Sequence, residues 1–270
     1  MSLGAATAAP PAVDSEALMV GGKSAGHIRP MVYHFNAPGG DVLLLAAFVF
    51  ALAYGLVFFR RAPSPVKTIV KTSAVAALAG VSWLNTNAVA ELAAHSGYPT
   101  HQLWLLPFAL SLCAVGDAFL ALDPKRWLPF GLAAFLAGHL AYVALFVTTI
   151  LARPDGPLAA PGLSHLAMMA IVLVVGCVML GWLWRSLAGL KAPVTAYVLA
   201  IVAMVCASLA LPQIYGGADI GALLFFASDG VLSAQLFKQR FTGLLGQWVV
   251  WGCYFMGQVL IVMAFSPTTF

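Results

Sequence analysis

The stretch CAVGDAFLAL, Cys113–Leu122, sets the terms for the whole chain. It closes a run from Leu103 to Leu122 that contains one charged side chain, Asp117. The run is long enough to cross a bilayer as a helix, which needs about 20 apolar residues at ~1.5 Å each. A carboxylate within hydrocarbon costs a few kcal/mol and is rarely left facing lipid. Asp117 therefore sits either at a wet interface, where Lys125 or Arg126 would pair with it, or in a polar interior that has a use for it.

The rest of the chain is of the same kind. It is 62% hydrophobic and 8% charged, whereas a soluble domain is about a quarter charged. Near-continuous apolar runs exclude barrel strands, which are about half as long and alternate in polarity. The fold class expected is all-α, a polytopic membrane bundle of eight transmembrane helices over residues 41–266. The spans fall at 41–59, 67–84, 101–122, 127–151, 163–184, 193–212, 219–237 and 245–265. Residues 1–40, rich in Ala, Gly and Pro, read as a disordered or surface-lying tail.

Ten of the thirteen basic residues lie in or beside alternate loops: Arg60, Arg61, Lys67, Lys71, Lys125, Arg126, Arg185, Lys191, Lys238 and Arg240. The positive-inside rule puts those loops in the cytoplasm and both termini outside. Between a bacterial inner membrane and an endoplasmic reticulum, the high alanine content favours the former. The basic residues form no stripe, so the sequence pI near 9.0 does not indicate nucleic-acid binding. Cys113, Cys177, Cys206 and Cys253 all lie in apolar runs without a Cys-x-x-Cys pair, and read as buried structural thiols. Glu91, His95 and His101 do not have the spacing of a metal box.

Polar side chains concentrate in spans three, four, seven and eight. Asp117 lies roughly 8 Å and Asp229 roughly 12 Å from the cytoplasmic ends of their helices, and His139 roughly 18 Å into span four. Tyr142 lies one turn beyond His139. Tyr254 and Gln258, at i and i+4, share a face, as do Lys67 and Lys71. A polar pocket opening to the cytoplasm accounts for these positions together. Each also has a structural reading: helix-to-helix hydrogen bonds for Asp229, His139, Tyr142, Tyr254 and Gln258, and snorkelling to the interface for the two lysines. A short echo, VGDAFLA (Val115–Ala121) against ASDGVLS (Ala227–Ser233), is matched by Tyr142 and Tyr254 at the same offset. It suggests a duplication of four helices plus four.

The same segments carry a family resemblance. ALSLCAVGDAFLAL (Ala109–Leu122) with FGLAAFLAGHLAYVALF (Phe130–Phe146), then IGALLFFASDGVLSAQLF (Ile220–Phe237) and YFMGQVLI (Tyr254–Ile261), resemble the blocks of the YhhN family in order and spacing. KTIVKTSAV (Lys67–Val75) resembles that family's lysine-bearing second helix, although Lys71 stands where the helix is often apolar. The resemblance implies an eight-helix membrane hydrolase similar to lysoplasmalogenases, which cleave the vinyl ether bond of 1-alkenyl lysophospholipids to a fatty aldehyde and glycerophosphoethanolamine or glycerophosphocholine. Matching residues are Asp117, His139, Asp229, Tyr254 and Gln258.

The implied partners are a lysophospholipid substrate and membrane lipids, and the chemistry calls for no metal or organic cofactor. Hydrolysis begins with protonation of carbon, so it needs an acid, a negative charge near the resulting cation and a base for water. Asp229, the deeper carboxyl, is expected to be the acid, with Asp117 stabilising the cation or activating water, an order that can be reversed. His139 would relay protons or orient a carboxyl. Lys67 and Lys71 would hold the phosphate, and Tyr142, Tyr254 and Gln258 would line the substrate site. A transporter or proton pathway uses buried Asp, His and Tyr as well, and stands as the alternative. A retinal photoreceptor does not, because span seven has no lysine within its apolar run.

Overall fold

The computed structural model of the chain describes residues 39–93, 101–122, 124–152 and 162–265. The expected tail, residues 1–40, lies almost wholly outside them. Among the described residues there is no strand, and the α-helices are α1 (Gly40–Ala53), α2 (Pro65–Ala93), α3 (Leu105–Ala121), α4 (Pro124–Leu151), α5 (Leu163–Leu183), α6 (Lys191–Leu209), α7 (Ala218–Lys238) and α8 (Leu244–Phe265). Six of these, counted with their flanking turns, are long and apolar enough to cross a membrane. The chain is an integral membrane protein. The other two are α3, apolar but 17 residues long, and α2, which has 29 residues and carries Lys67, Lys71, Ser82, Asn85 and Thr86.

The helices follow the expected spans closely and depart from them at the ends. The third span begins with a 3₁₀ turn, His101–Trp104, so its α-helix starts at Leu105. The second runs on to Ala93 because its polar residues turn inward: Ser82, Asn85 and Thr86 are buried, in line with Ala74, Val75 and Leu78. α1 ends in a π-helical turn, Tyr54–Phe58. Such turns shift the side chains that follow and recur at functional sites.

Helices α2, α3, α4, α6, α7 and α8 pack in a closed ring, each against the next, while α1 lies outside against α2 and α5 outside against α6 and α7. The two outer helices present apolar side chains outward, among them Leu45, Leu52 and Leu56 on α1 and Leu163, Val174 and Val178 on α5. Hydrocarbon is the fitting solvent for such faces. Cys177 is exposed on α5 rather than buried, which corrects the expectation for that thiol; Cys113 is fully buried on α3. Within the ring the packing is aromatic, with Phe225 meeting Tyr254 edge-on at 5.1 Å and His139 at 4.7 Å, while Trp251 of α8 fastens the outer helix α1 by donating its indole N–H to the carbonyl of Ala51 at 3.0 Å.

Lipid tails are as apolar as leucine, so membrane helices hold together by close packing and hydrogen bonds rather than by a hydrophobic drive between helices. The α7–α8 crossing illustrates this. A Cβ on Gly221 would stand 2.7 Å from the carbonyl oxygen of Gly257, and one on Gly257 would stand 2.7 Å from that of Gly221. The two backbones touch, and this contact sets the height of Asp229 on α7 relative to Tyr254 on α8. Gly257→Val is expected to destabilise the protein by about 1–3 kcal/mol through overpacking. Gly252→Val on the same helix, where a new Cβ meets nothing within 4 Å, should leave stability close to wild type. Thermal unfolding of both variants in detergent checks this.

Candidate active site

Each helix of the inner ring supplies at least one buried or half-buried polar side chain to the interior: Lys71 from α2, Asp117 from α3, His139 from α4, Tyr197 from α6, Asp229 from α7 and Tyr254 from α8. Lys67, Lys71, Asp117, Asp229 and Tyr254 line one cavity of about 230 Å³. Its lining also includes Tyr54 and Phe59 at the π-turn of α1, and Gln235 and Gln247 at the facing ends of α7 and α8. It therefore lies toward the end of the bundle that carries Arg60, Arg61, Lys238 and Arg240.

The two carboxyls meet different company. Asp117, 1% exposed, faces the Lys71 ammonium at 2.8 Å through Oδ1 and accepts the phenol O–H of Tyr254 at 2.6 Å through Oδ2. A buried ion pair of this kind is a short charge-assisted bond whose attraction offsets the cost of removing both charges from water. Lys71 reaches Asp117 because its helix places it one turn below Lys67, facing α3. Among the described side chains Asp117 pairs with Lys71 and not with Arg126, one of the partners an interfacial Asp117 would have taken, while Lys125 lies outside the described side chains.

Among the described residues, Asp229 has no such cation. Its Oδ2 accepts the phenol O–H of Tyr197 at 2.5 Å and stands 3.7 Å from Nε2 of His139. The His139 ring is fully buried, with its Nδ1 2.6 Å from the carbonyl oxygen of Phe135. A carbonyl only accepts, so Nδ1 carries the proton and, in the neutral ring, Nε2 is left with its lone pair toward Asp229. That nitrogen has no hydrogen-bond partner among the described residues. Phe225 and Tyr197 pack edge-on against the imidazole at 4.7 and 5.0 Å and fix its plane.

The remaining expected site residues fall into two groups. Lys67 lies at the cavity mouth, with its ammonium 2.9 Å from the carbonyl of Arg61 and, among the described residues, no carboxylate against it, so the two lysines differ: one is spent on Asp117, the other is not. Tyr142 and Gln258 are brought together but away from the cavity. The Tyr142 hydroxyl donates to Oε1 of Gln258 at 2.5 Å, both side chains are fully buried, and neither lines the cavity. Glu91, His95 and His101 lie outside the described side chains.

Tyr197 was not singled out from the sequence. Its one signal is a phenol about two turns into the mostly apolar sixth span; its partner, 32 residues away on α7, shows only in the fold. Tyr54 and Gln247 reach the cavity in the same unheralded way. The arrangement suits proton chemistry better than metal binding. A metal cation at Asp117 would have to displace the ammonium that stands 2.8 Å from its Oδ1, and two of the carboxyl oxygens already accept phenol hydrogens.

Truncating one member of the buried ion pair leaves the other uncompensated. Lys71→Met is expected to destabilise by about 3–5 kcal/mol, with the Lys71→Met/Asp117→Asn double variant recovering most of that loss. Thermal unfolding of the two single variants and the double variant in detergent measures the coupling.

Residues 66–265 match the YhhN family. A lysoplasmalogenase of Mycobacterium tuberculosis (strain CDC 1551 / Oshkosh) is 35% identical over 167 residues, 60% of each chain. Lysoplasmalogenase TMEM86B of Homo sapiens is 34% identical over 196 residues, 73% of this chain and 74% of that one. The uncharacterized membrane protein YhhN of Escherichia coli O157:H7 is 28% identical over 160 residues, 56% of this chain and 70% of that one. The chain thus spans about 60% of the length of the mycobacterial relatives it matches. No solved structure matches it significantly. With 66–265 covering nearly all of its described helices, the chain belongs to the YhhN family.

Proposed function

We propose that this protein is a membrane-embedded hydrolase that cleaves the vinyl ether bond of 1-alkenyl lysophospholipids, giving a fatty aldehyde and the glycerophospho-alcohol. What supports the reading is one cavity lined by two carboxyls of unlike setting, Asp117 paired with the Lys71 ammonium and Asp229 with a phenol and an imidazole beside it. The names of the mycobacterial and human relatives point the same way.

Asp229, as the carboxylic acid, gives its proton to the alkenyl carbon distal to the ether oxygen, leaving an oxocarbenium cation. Asp117, held as a carboxylate by Lys71 and Tyr254, stabilises that cation and directs water to it. Addition of water forms a hemiacetal and releases a proton, which returns to Asp229. The hemiacetal then collapses to aldehyde and alcohol, so one water is consumed and the enzyme ends as it began. His139, with its free Nε2 toward Asp229, relays the returning proton. Division of acid and base between two carboxyls is the logic of glycoside hydrolysis, which also passes through an oxocarbenium-like state. Lys67 at the mouth holds the substrate phosphate, with Lys71 serving Asp117 instead.

All eight helices cross the membrane in this reading. At 29 residues α2 is roughly 43 Å long, ample for a span, and its polar residues are sheltered in the ring. The basic loops and the cavity mouth then face the cytoplasm of a bacterial inner membrane, and both termini lie outside.

Purified protein should release aldehyde from alkenyl lysophosphatidylcholine or lysophosphatidylethanolamine. Asp229→Asn, and Asp117→Asn made together with Lys71→Met so that no bare ammonium is left, should each lower that rate by about 10²-fold or more while remaining folded, the scale of acid–base catalysis. Full activity in both variants refutes the two-carboxylate mechanism. Lys67→Met should raise KM with kcat nearly unchanged, as expected for a group that binds ground state and transition state alike; steady-state kinetics on the same substrate decides it.

A further inference from the structure

A second recess adjoins the polar cavity. It runs between α4, α5, α6 and α7, and its walls are Leu132, Gly176, Met179, Val198, Phe226 and Leu236 among other apolar residues. Among the described residues that line it, Asp229 alone is charged. The recess shares Leu120, Phe135, Asp229, Leu232 and Leu236 with the polar cavity. The two are thus neighbouring chambers with a common wall, and a carboxyl stands on that wall.

We infer that this groove holds the hydrocarbon chain of a single-chain polar amphiphile whose headgroup occupies the adjoining polar cavity, with Asp229 at the joint between them. The inference rests on the hydrolase reading and makes it more specific. Three observations carry it. The chemistry of the lining changes across Asp229, from Lys67, Lys71, Gln235 and Gln247 on one side to aliphatic and aromatic side chains on the other. The lining along α7 runs from Phe226 to Phe237, roughly 16 Å at the helical rise, which matches the ~15 Å hydrocarbon thickness of one leaflet. Small residues keep the groove clear: a Cβ on Gly230 would meet nothing within 4 Å, and Gly176 lets α5 approach so closely that a Cβ there would stand 2.9 Å from Val202.

The pose has a chemical consequence. In an alkenyl lysolipid the vinyl ether is the boundary between polar and apolar parts, and the carbon that takes the proton lies on the chain side of the oxygen. A molecule straddling the common wall presents that carbon to Asp229 and its glycerol side to Asp117 and Lys71. The groove thereby selects Asp229 over Asp117 as the proton donor and makes chain length a determinant of specificity.

The experiment compares wild type, Gly230→Leu and Met179→Trp in nanodiscs, with Val178→Leu on the outer face of α5 as control. The substrates are 1-alkenyl lysophosphatidylcholines of short, medium and long chain. Wild type and the control should favour long chains. In both groove variants kcat/KM on the longer chains should fall, relative to that on the short chain, by roughly fourfold for each methylene displaced. An unchanged chain-length profile in both groove variants, beside an active wild type, overturns the groove and leaves the hydrolase reading standing. If wild type releases no aldehyde from any of them, the hydrolase reading falls. The groove is then judged by binding of uncleavable 1-alkyl lysophosphatidylcholines: thermal stabilisation that grows with chain length in wild type and is lost in both variants upholds it, and stabilisation independent of chain length overturns it.

Discussion

Lys71 and Asp117 meet at 2.8 Å inside a bundle whose outer face is built for hydrocarbon. Neither charge is tolerable alone at that depth, and each makes the other so. The pair ties α2 to α3, and the Tyr254 hydroxyl on the same carboxyl brings in α8. Net stability is not what such a pair chiefly supplies, because desolvation consumes much of the attraction. What it enforces is arrangement. Any packing that separates these helices leaves a bare charge in an apolar interior, so the competing arrangements are penalised more than the native one is favoured.

The second fastening, between Tyr197, Asp229 and His139, works without a cation and reaches from α6 to α7 and α4. Between them the two clusters draw on all six helices of the inner ring, and α1 and α5 are left to cover it. The polar groups are thereby sheltered from lipid while a cavity of about 230 Å³ survives at their centre. Close crossings such as Gly221 against Gly257 permit this, since they let backbones meet where no side chain need fill the space. Structural and chemical demands coincide: hydrogen bonds that hold the ring also orient the carboxyls.

The contrast between the carboxyls is the source of the proposed chemistry. Two acids in identical settings would compete for one role. Here the ammonium of Lys71 sets one apart as a carboxylate, and a phenol and an imidazole surround the other. The apolar recess beyond Asp229 adds direction, because an amphiphile can enter such a pair of chambers in one sense only, headgroup toward Lys67 and chain toward α5.

The sequence by itself determined the class and much of the framework. Run length and polarity require membrane helices, and the span boundaries agree with the helices to within a few residues, except where α2 runs on and where α3 opens with a 3₁₀ turn. It also singled out Asp117, Asp229, His139, Tyr254, Lys67 and Lys71, because a polar group in hydrocarbon stands out against a uniform background. What it left undecided is who meets whom. Lys71 had the same face as Lys67 and the same reading, and the approach of α3 gave it a different partner. Tyr197 passed unnoticed, since a phenol in an apolar helix has many innocent explanations, and Tyr142 with Gln258 turned out to bind each other rather than line the cavity. Those pairings depend on the rotation and height of helices far apart in the chain. Local pattern fixes that a helix forms and which residues are costly to expose to lipid; only packing against the other helices decides which costly groups satisfy one another.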